Sequence, residues 1–371
     1  MFPKIVQQRL ASVGIEFNGP HEWDPQIVND GFYHRVIAEK SLGLGESYMD
    51  GWWNCRRVDE LLCRILKCGV EYDIKGSPRY ALLFLPAKLL NLQSRSRSRI
   101  VAEGHYDIGN DFFFSFLDPL HQYSCAYFKD TDDLAQAQVN KLELIAKKLE
   151  LRKGDNLLDI GCGWGGLAKY MALRYGCRVT GVNISKEQLA FAREECKGLP
   201  VEFIDCDYRE IKGEYDKIIS VGMFEHVGQK NFRAYMETAH RVLRKDGLFL
   251  LHTIGSNASG LNCDPWLNKY IFPNGALPSI AQMSSSAEGL FVIEDLQNLC
   301  DNYDKTLLCW YRNFIKAWPA FADKYGERFR RMWEYYLLCC AGVFRARGVQ
   351  VFQLLMTRER DARRQPAAAM R

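Results

Sequence analysis

The 371-residue sequence predicts an α/β fold, a doubly wound parallel sheet with helices on both faces, preceded by a smaller, mainly helical N-terminal segment. Three observations predict it. From about Asn156 onward, short apolar runs of strand length (LLDIGCG, RVTGVNI, VEFIDCD, KIISVGM, GLFLLHTI) alternate with helix-like stretches (GGLAKYMALRYG, SKEQLAFAREEC, NFRAYMETAHRVLRKDG). Such alternation marks strand–helix–strand units. The first run ends in a glycine-rich turn that opens a helix. Residues 1 to about 90 lack the alternation, and Pro20, Gly43, Gly45 and Gly51 punctuate short apolar segments there.

The elements follow in order. Tyr80 to Leu92 is strongly apolar and reads either as an amphipathic interfacial helix or as a buried one, with Pro86 against a long straight helix. Next, Ser94 to Arg99 alternates Ser and Arg as an exposed connector. It divides the chain into an N-terminal helical domain (1–93), a basic linker (94–104) and a catalytic domain (105–371). Within the latter, Gly247 suits a helix C-cap before the last of the five strands.

Composition sets limits. Hydrophobic residues make up 47% and charged residues 25%, an ordinary globular balance. No run approaches the roughly 18 apolar residues of a membrane span, and Met1 to Leu10 does not resemble a signal peptide. A cytoplasmic protein is expected. The 13 cysteines include no Cys-x-x-Cys, so reduced core thiols and no metal site are expected. Net charge is +4 but uneven: Lys75 to Arg99 holds six basic residues and no acidic one, and Arg345 to Arg371 holds seven Arg against Glu359 and Asp361. Such stripes fit an anionic partner, either a phospholipid surface or a nucleic acid, or simply solvated helix faces.

The turn Asp159-Ile160-Gly161-Cys162-Gly163-Trp164-Gly165-Gly166 lets a ligand approach the backbone at the carboxyl end of a strand. Glycine spacing alone also fits a nicotinamide dinucleotide, because Gly166 completes that fingerprint. Asp159 decides: a carboxylate is poorly placed beside a pyrophosphate and well placed beside the cationic amino acid end of S-adenosylmethionine (SAM).

Asp159 to Gly163 resembles the glycine motif of Rossmann-like class I SAM methyltransferases. The second strand there usually ends in an acid, whereas this chain has Gly181-Val182-Asn183-Ile184-Ser185-Lys186-Glu187-Gln188. That departure is similar to the cyclopropane synthases, in which residues at the Asn183 and Gln188 positions take the ribose. SLGLGESYMDGWW (41–53), HYDIGNDFF (105–113), YSCAYF (123–128), GMFEHVG (222–228), LLHTIGS (250–256) and NKYIFPNG (268–275) resemble the cyclopropane-fatty-acyl-phospholipid synthase family. Mycolic-acid synthases share the catalytic half but start close to the HYDIGNDFF region, so the N-terminal hundred residues favour a phospholipid substrate.

The resemblance implies methylene transfer from SAM to the cis double bond of phospholipid acyl chains, with bound bicarbonate as base. It implies a bicarbonate site of Cys125, Glu225, His252 and Tyr303 with the backbone of Ile254. Glu294 would stand behind His252. Asp207 and Tyr208 would flank adenine, and Tyr123, Ser124, His105 and Gly109 would close over the methionine end. Aromatic faces, among Tyr123, Tyr127, Phe128, Phe224, Tyr270, Phe272 and Tyr303, would steady a cationic intermediate. A homodimer at the inner face of the membrane, binding anionic lipid and no nucleic acid, completes the expectation. The alternatives are methyl branching of the same alkene, a lipid-binding protein without catalysis, and a nucleic-acid methyltransferase. Gly222-Met223-Phe224-Glu225 stands where base methyltransferases carry Asn/Asp-Pro-Pro-aromatic, which disfavours the last.

Overall fold

The computed structural model describes residues 2–69, 108–260 and 264–359. The Tyr80–Leu92 run, the Ser-Arg connector, His105 and the arginines from Arg360 onward lie outside these described residues. By contacts the chain divides into two units, and neither is one stretch of chain. The first gathers Met1–Leu90, Asn262–Pro273 and Tyr303–Val349; the second gathers Asn91–Leu261, Asn274–Asn302 and Gln350–Arg371.

The first unit is mainly helical: Lys4–Ser12, Gly31–Glu39, Ser41–Met49, Val58–Lys67 and Ala322–Arg345, with a small antiparallel pair of β1 (Gln26–Ile27) and β2 (Trp53–Asn54). Residues far apart in sequence meet here because Ala322–Arg345 packs tightly on Val58–Lys67. A Cβ on Gly342 would sit 2.3 Å from the Asp59 carbonyl oxygen. Trp53, Trp266 and Trp333 are fully buried in this unit's core. Arg345 closes the packing with ion pairs to Asp59 (2.8 Å), Asp304 (2.9 Å) and Glu60 (3.2 Å). This arginine, counted above in a membrane-facing stripe, is therefore engaged within the protein, as is Arg358, which donates to the Leu243 carbonyl at 2.9 Å.

The second unit holds a seven-stranded sheet. Its strands are β3 (Asn156–Ile160), β4 (Arg178–Asn183), β5 (Val201–Asp205), β6 (Tyr215–Val221), β7 (Leu243–Ser256), β8 (Phe291–Asn298) and β9 (Val349–Arg358), in the order β5-β4-β3-β6-β7-β9-β8. The five strands expected from sequence run parallel. The remaining pair, β8 and β9, is antiparallel and makes the sheet mixed. Leu157, Leu158, Ile218, Ile219, Phe249 and Leu250 are wholly buried, as expected where helices cover both faces.

Local signals set the ends of the helices. Gly166–Tyr175 stops at the left-handed Gly176, and Lys186–Glu195 starts where the Ser185 hydroxyl accepts from the Gln188 N–H. Gly247 is not a helix cap: β7 already begins at Leu243, and Asp246 takes the left-handed backbone at φ 59°. The carboxyl ends of β3, β4, β6 and β7 thus present the turns that carry the expected site residues. Among the described residues no helix is long and apolar enough to cross a membrane, and the cysteines are free thiols.

Candidate active site

At the end of β3 the backbone enters the glycine turn. Gly163 adopts φ 53° with open space where a Cβ would project, a cradle that a ligand can approach. Gly161 differs: its Cβ would strike the Met223 side chain at 2.6 Å, so its smallness serves packing against the next turn. Asp159 is buried, and its Oδ2 has no hydrogen-bond partner among the described residues. Burial pushes its carboxyl up to about 7, against the opposing pull of Lys141. An orphaned buried acceptor at this turn fits the ammonium of SAM, which would restore the missing partner.

Beyond β4, Asn183 Oδ1 accepts from the N–H groups of Ile184 (2.8 Å) and Ser185 (3.3 Å), while its Nδ2 donates to Gln188 Oε1 at 2.8 Å. The Gln188 oxygen is thereby engaged, leaving its amide nitrogen to donate outward. Two amides supply the mixed donor and acceptor groups that a ribose diol needs. Asp207 is held by Arg209, through its N–H at 3.0 Å and its guanidinium at 2.9 Å. Tyr208 lies in the core against Tyr235, with the Arg209 guanidinium over its ring.

Ser124 and Cys125 are buried beside the helix Leu134–Lys148, with Tyr123 half-buried next to them. The Tyr123 ring meets Phe113 and Phe116 edge-on. The Cys125 thiol donates to the Ala126 carbonyl at 3.3 Å and contacts that of Leu299 at 3.9 Å. Gly109, at φ 95°, starts the short helix Asn110–Phe114, and Asn110 accepts from the Trp164 indole N–H at 2.8 Å. The glycine turn is thus tied to the HYDIGNDFF segment.

The proton-handling groups stand on β6 and β7. The pair Val221↔His252 aligns these strand ends. Glu225 lies on the turn after β6, buried, and its Oε1 accepts from the Ile254 N–H at 2.6 Å. Its Oε2 is buried with no hydrogen-bond partner among the described residues. Burial pushes this carboxyl up to about 7, opposed by the Ile254 N–H. His252 is 2% exposed. Burial, reinforced by Lys141 and Lys148, takes its ring down to about 3, so it is neutral. Its Nδ1 lies 3.1 Å from the Gln353 side-chain amide nitrogen; with that nitrogen donating, Nδ1 accepts and the ring proton sits on Nε2. A neutral donor and a carboxyl that exchanges its proton near neutrality, in a water-poor setting, fit a small hydrogen-bonding anion such as bicarbonate.

Several expectations change. Glu294 does not stand behind His252; it accepts from the Thr357 hydroxyl at 2.7 Å, and Gln353 occupies the expected place. Phe224 stacks on Phe232 in the core, 4.5 Å between ring centres, which covers the face a cation would need. Tyr303, with Tyr270 and Phe272, belongs to the first unit, where it packs on Phe344 and Trp310. All the other expected site residues belong to the second unit. Sequence reading missed Gln353 and Lys141. The signal for Lys141 was present: it lies in the stripe with Leu134, Ala137 and Leu142, which helical spacing assigns to the buried face.

Residues 93–354 match the family described as mycolic acid cyclopropane synthetase. The chain is 51% identical to the cyclopropane-fatty-acyl-phospholipid synthase of Escherichia coli K12, across 96% of this chain and 93% of that protein. It is 38% identical to a probable fatty acid methyltransferase of Pseudomonas putida, across 68% of this chain and 67% of that protein. Among solved structures, the cyclopropane synthase MmaA2 from Mycobacterium tuberculosis superposes with a TM-score of 0.66 at 30% identity, covering 70% of this chain and 97% of that one. The mycolic acid cyclopropane synthase CmaA1, complexed with SAH and CTAB, gives 0.65 at 32% identity, covering 70% and 98%. The matched region includes the glycine turn, the Glu225 turn and both strand ends, and the chain belongs to the mycolic acid cyclopropane synthetase family of SAM-dependent methyltransferases.

Proposed function

We propose that the protein transfers a methylene group from SAM to the cis double bond of phospholipid acyl chains, forming a cyclopropane ring with bicarbonate as base. The carrying observation is the buried, partnerless Oε2 of Glu225, whose carboxyl burial moves to about 7. SAM, when bound, supplies an electrophilic methyl group to the alkene. Asp159 would hold its ammonium, Asn183 and Gln188 its ribose, and Tyr123 and Ser124 its methionine end, with Asp207 and Tyr208 near adenine. Bicarbonate, when bound, supplies the base that takes a proton from the transferred methyl. Its holders would be Glu225 through Oε2, the His252 Nε2–H and the Cys125 thiol, all of the second unit; the Ile254 N–H is already given to Glu225 Oε1.

Glu225 does two things there. Ionised, it accepts the hydroxyl proton of bicarbonate; protonated, it removes the repulsion between two neighbouring anions. Glu225, His252 and Cys125 are buried, and such surroundings exclude the water that would trap a cation. Incubation with SAM and vesicles of monounsaturated phospholipid tests the reading. Acyl chains heavier by one methylene, with high-field ring protons by NMR, are expected; the same mass with a retained vinyl signal would replace it with methyl branching.

We also propose peripheral association with the cytoplasmic face of a membrane; a homodimer is what the family resemblance implies. The acid-free stretch Lys75 to Arg99 supports it, since each apposed Lys or Arg contributes on the order of 1 kcal/mol at an anionic bilayer. Binding should rise with anionic lipid and fall with salt; equal binding to neutral vesicles at all salt levels would remove the electrostatic component.

A further inference from the structure

The segment carrying Tyr123 and Ser124 is gripped by a buried cation with no part in the chemistry above. Lys141 is completely buried on the helix Leu134–Lys148. Its Nζ donates to Ser124 Oγ at 2.9 Å and to Gln122 Oε1 at 2.8 Å. One turn earlier, the equally buried Gln138 donates to the Ser124 carbonyl at 3.0 Å. Asp118 accepts from the N–H groups of Leu120 and Gln122, both at 2.8 Å. The segment is pressed onto the glycine turn itself: a Cβ on Gly166 would lie 1.8 Å from the Leu120 carbonyl oxygen. Ser124 is thus held at its carbonyl and at its hydroxyl oxygen.

A hydroxyl oxygen that accepts from an ammonium has its own proton left to donate elsewhere. A buried ammonium also needs negative charge nearby. The titratable groups near Lys141 are Asp118 on the same segment, Asp159 on β3, the Cys125 thiol and the neutral His252 ring on β7; burial brings the ammonium down to about 8 despite the acidic ones. Asp159 is itself moved to about 7 by burial, so it neutralises Lys141 only in part. Among the described residues the Ser124 hydroxyl accepts from Lys141 and donates to no protein acceptor, so its O–H is left for a ligand.

We propose that Lys141 is a positioning residue for SAM: through Ser124 it presents a fixed O–H donor, and with it a buried positive charge, to the α-carboxylate of the methionine moiety. This rests on the reading that Ser124 contacts the methionine end of SAM. No covalent step is involved.

Calorimetric titration of the full chain tests it with two ligands, SAM and decarboxylated SAM, which lacks only the carboxylate. Lys141→Met should weaken SAM by about 10-fold or more, the range for a hydrogen bond to a charged group, and leave decarboxylated SAM within about 2-fold of wild type. Ser124→Ala should show the same selectivity, and the double variant should lose little more than either single one. Equal weakening of both ligands by Lys141→Met would reduce the lysine to a structural role and overturn the proposal. Loss of SAM selectivity in Ser124→Ala but not in Lys141→Met would also overturn it while sparing the Ser124 assignment. An unchanged SAM affinity in Ser124→Ala would instead refute that assignment. Should Lys141→Met fail to fold, wild type and Ser124→Ala are compared across pH 7 to 9. Titration of the ligand amine is common to both, so the SAM affinity of wild type should fall more steeply; parallel profiles would overturn the proposal.

Discussion

Replacing Glu225 by Gln separates what the carboxyl does for catalysis from what it costs the fold. The amide oxygen can still accept from the Ile254 N–H, as Oε1 does at 2.6 Å, so the turn should keep its shape. Lost are the ionisation and the sharing of a proton with a bound anion. Proton-transfer assistance is worth roughly 100- to 10,000-fold, so kcat should fall by at least about 100-fold with little change in SAM affinity. Stability should respond in the opposite sense. Burial raises this carboxyl from 4.5 to about 7, so the unfolded chain releases its proton first. Stability is then full at low pH and lost as pH rises from the ordinary carboxylate range through about 7. Above that, keeping the ionised group buried costs the apoprotein on the order of 3 kcal/mol. Glu225→Gln removes this loss; Asp159, also raised to about 7, retains its own. Urea unfolding at pH 5 and pH 8 should therefore show a smaller stability drop in the variant, while a lipid assay shows lost turnover. Near-full activity, or a pH dependence of stability identical to wild type, would refute the reasoning.

Two other substitutions follow from the same geometry. Gln353→Leu removes the donor to His252 Nδ1, 3.1 Å away; kcat should fall about 10-fold, the cost of misplacing one hydrogen bond, with SAM affinity unchanged. Gln353→Glu should move the ring proton to Nδ1, visible in the imidazole 15N shifts, and a ring that keeps Nε2–H in that variant would contradict the assignment. Arg345→Met should destabilise the first unit by on the order of 3 kcal/mol, since it strips a partner from the buried Asp59. Burial alone would raise the Asp59 carboxyl, but hydrogen bonds from Arg57 and Arg345 hold it below its ordinary value. Its contribution is thus present above the usual carboxylate range and lost as pH falls through the lowered value. The stability gap between variant and wild type should shrink in acid; a constant gap would argue against the ion pair.

How far the fold was legible depended on whether neighbours in sequence decide the structure. β3, β6 and β7 were readable because their central residues are covered on both faces and form apolar runs bounded by turns; β4 and the edge strand β5, where Glu202 and Asp205 are exposed, were readable from their short apolar runs between helix-like stretches. β8 was not: Val292 and Leu296 are exposed at 44% and 41% while Asp295 is paired with Lys148, so its pattern points away from a core strand. Its identity comes from pairing with β9, more than fifty residues later. The same distance hid the gathering of 303–349 with the N-terminal helices. At the site, the glycine turn and the Glu225 turn follow directly from local sequence. The partner of His252 does not, because Gln353 reaches it across a neighbouring strand; Glu294 was attractive by charge, yet its strand is one further away.

The most direct test of ring formation uses SAM carrying a fully deuterated methyl group with monounsaturated phospholipid vesicles. Closing the ring removes one hydrogen isotope from the transferred methyl. Mass spectrometry should therefore find acyl chains that have gained a carbon bearing two deuterons, with the yield falling when dissolved carbonate is removed and returning when it is restored. Chains that retain all three deuterons would show that the proton leaves from the acyl chain instead, and would contradict a site built to deprotonate the methyl.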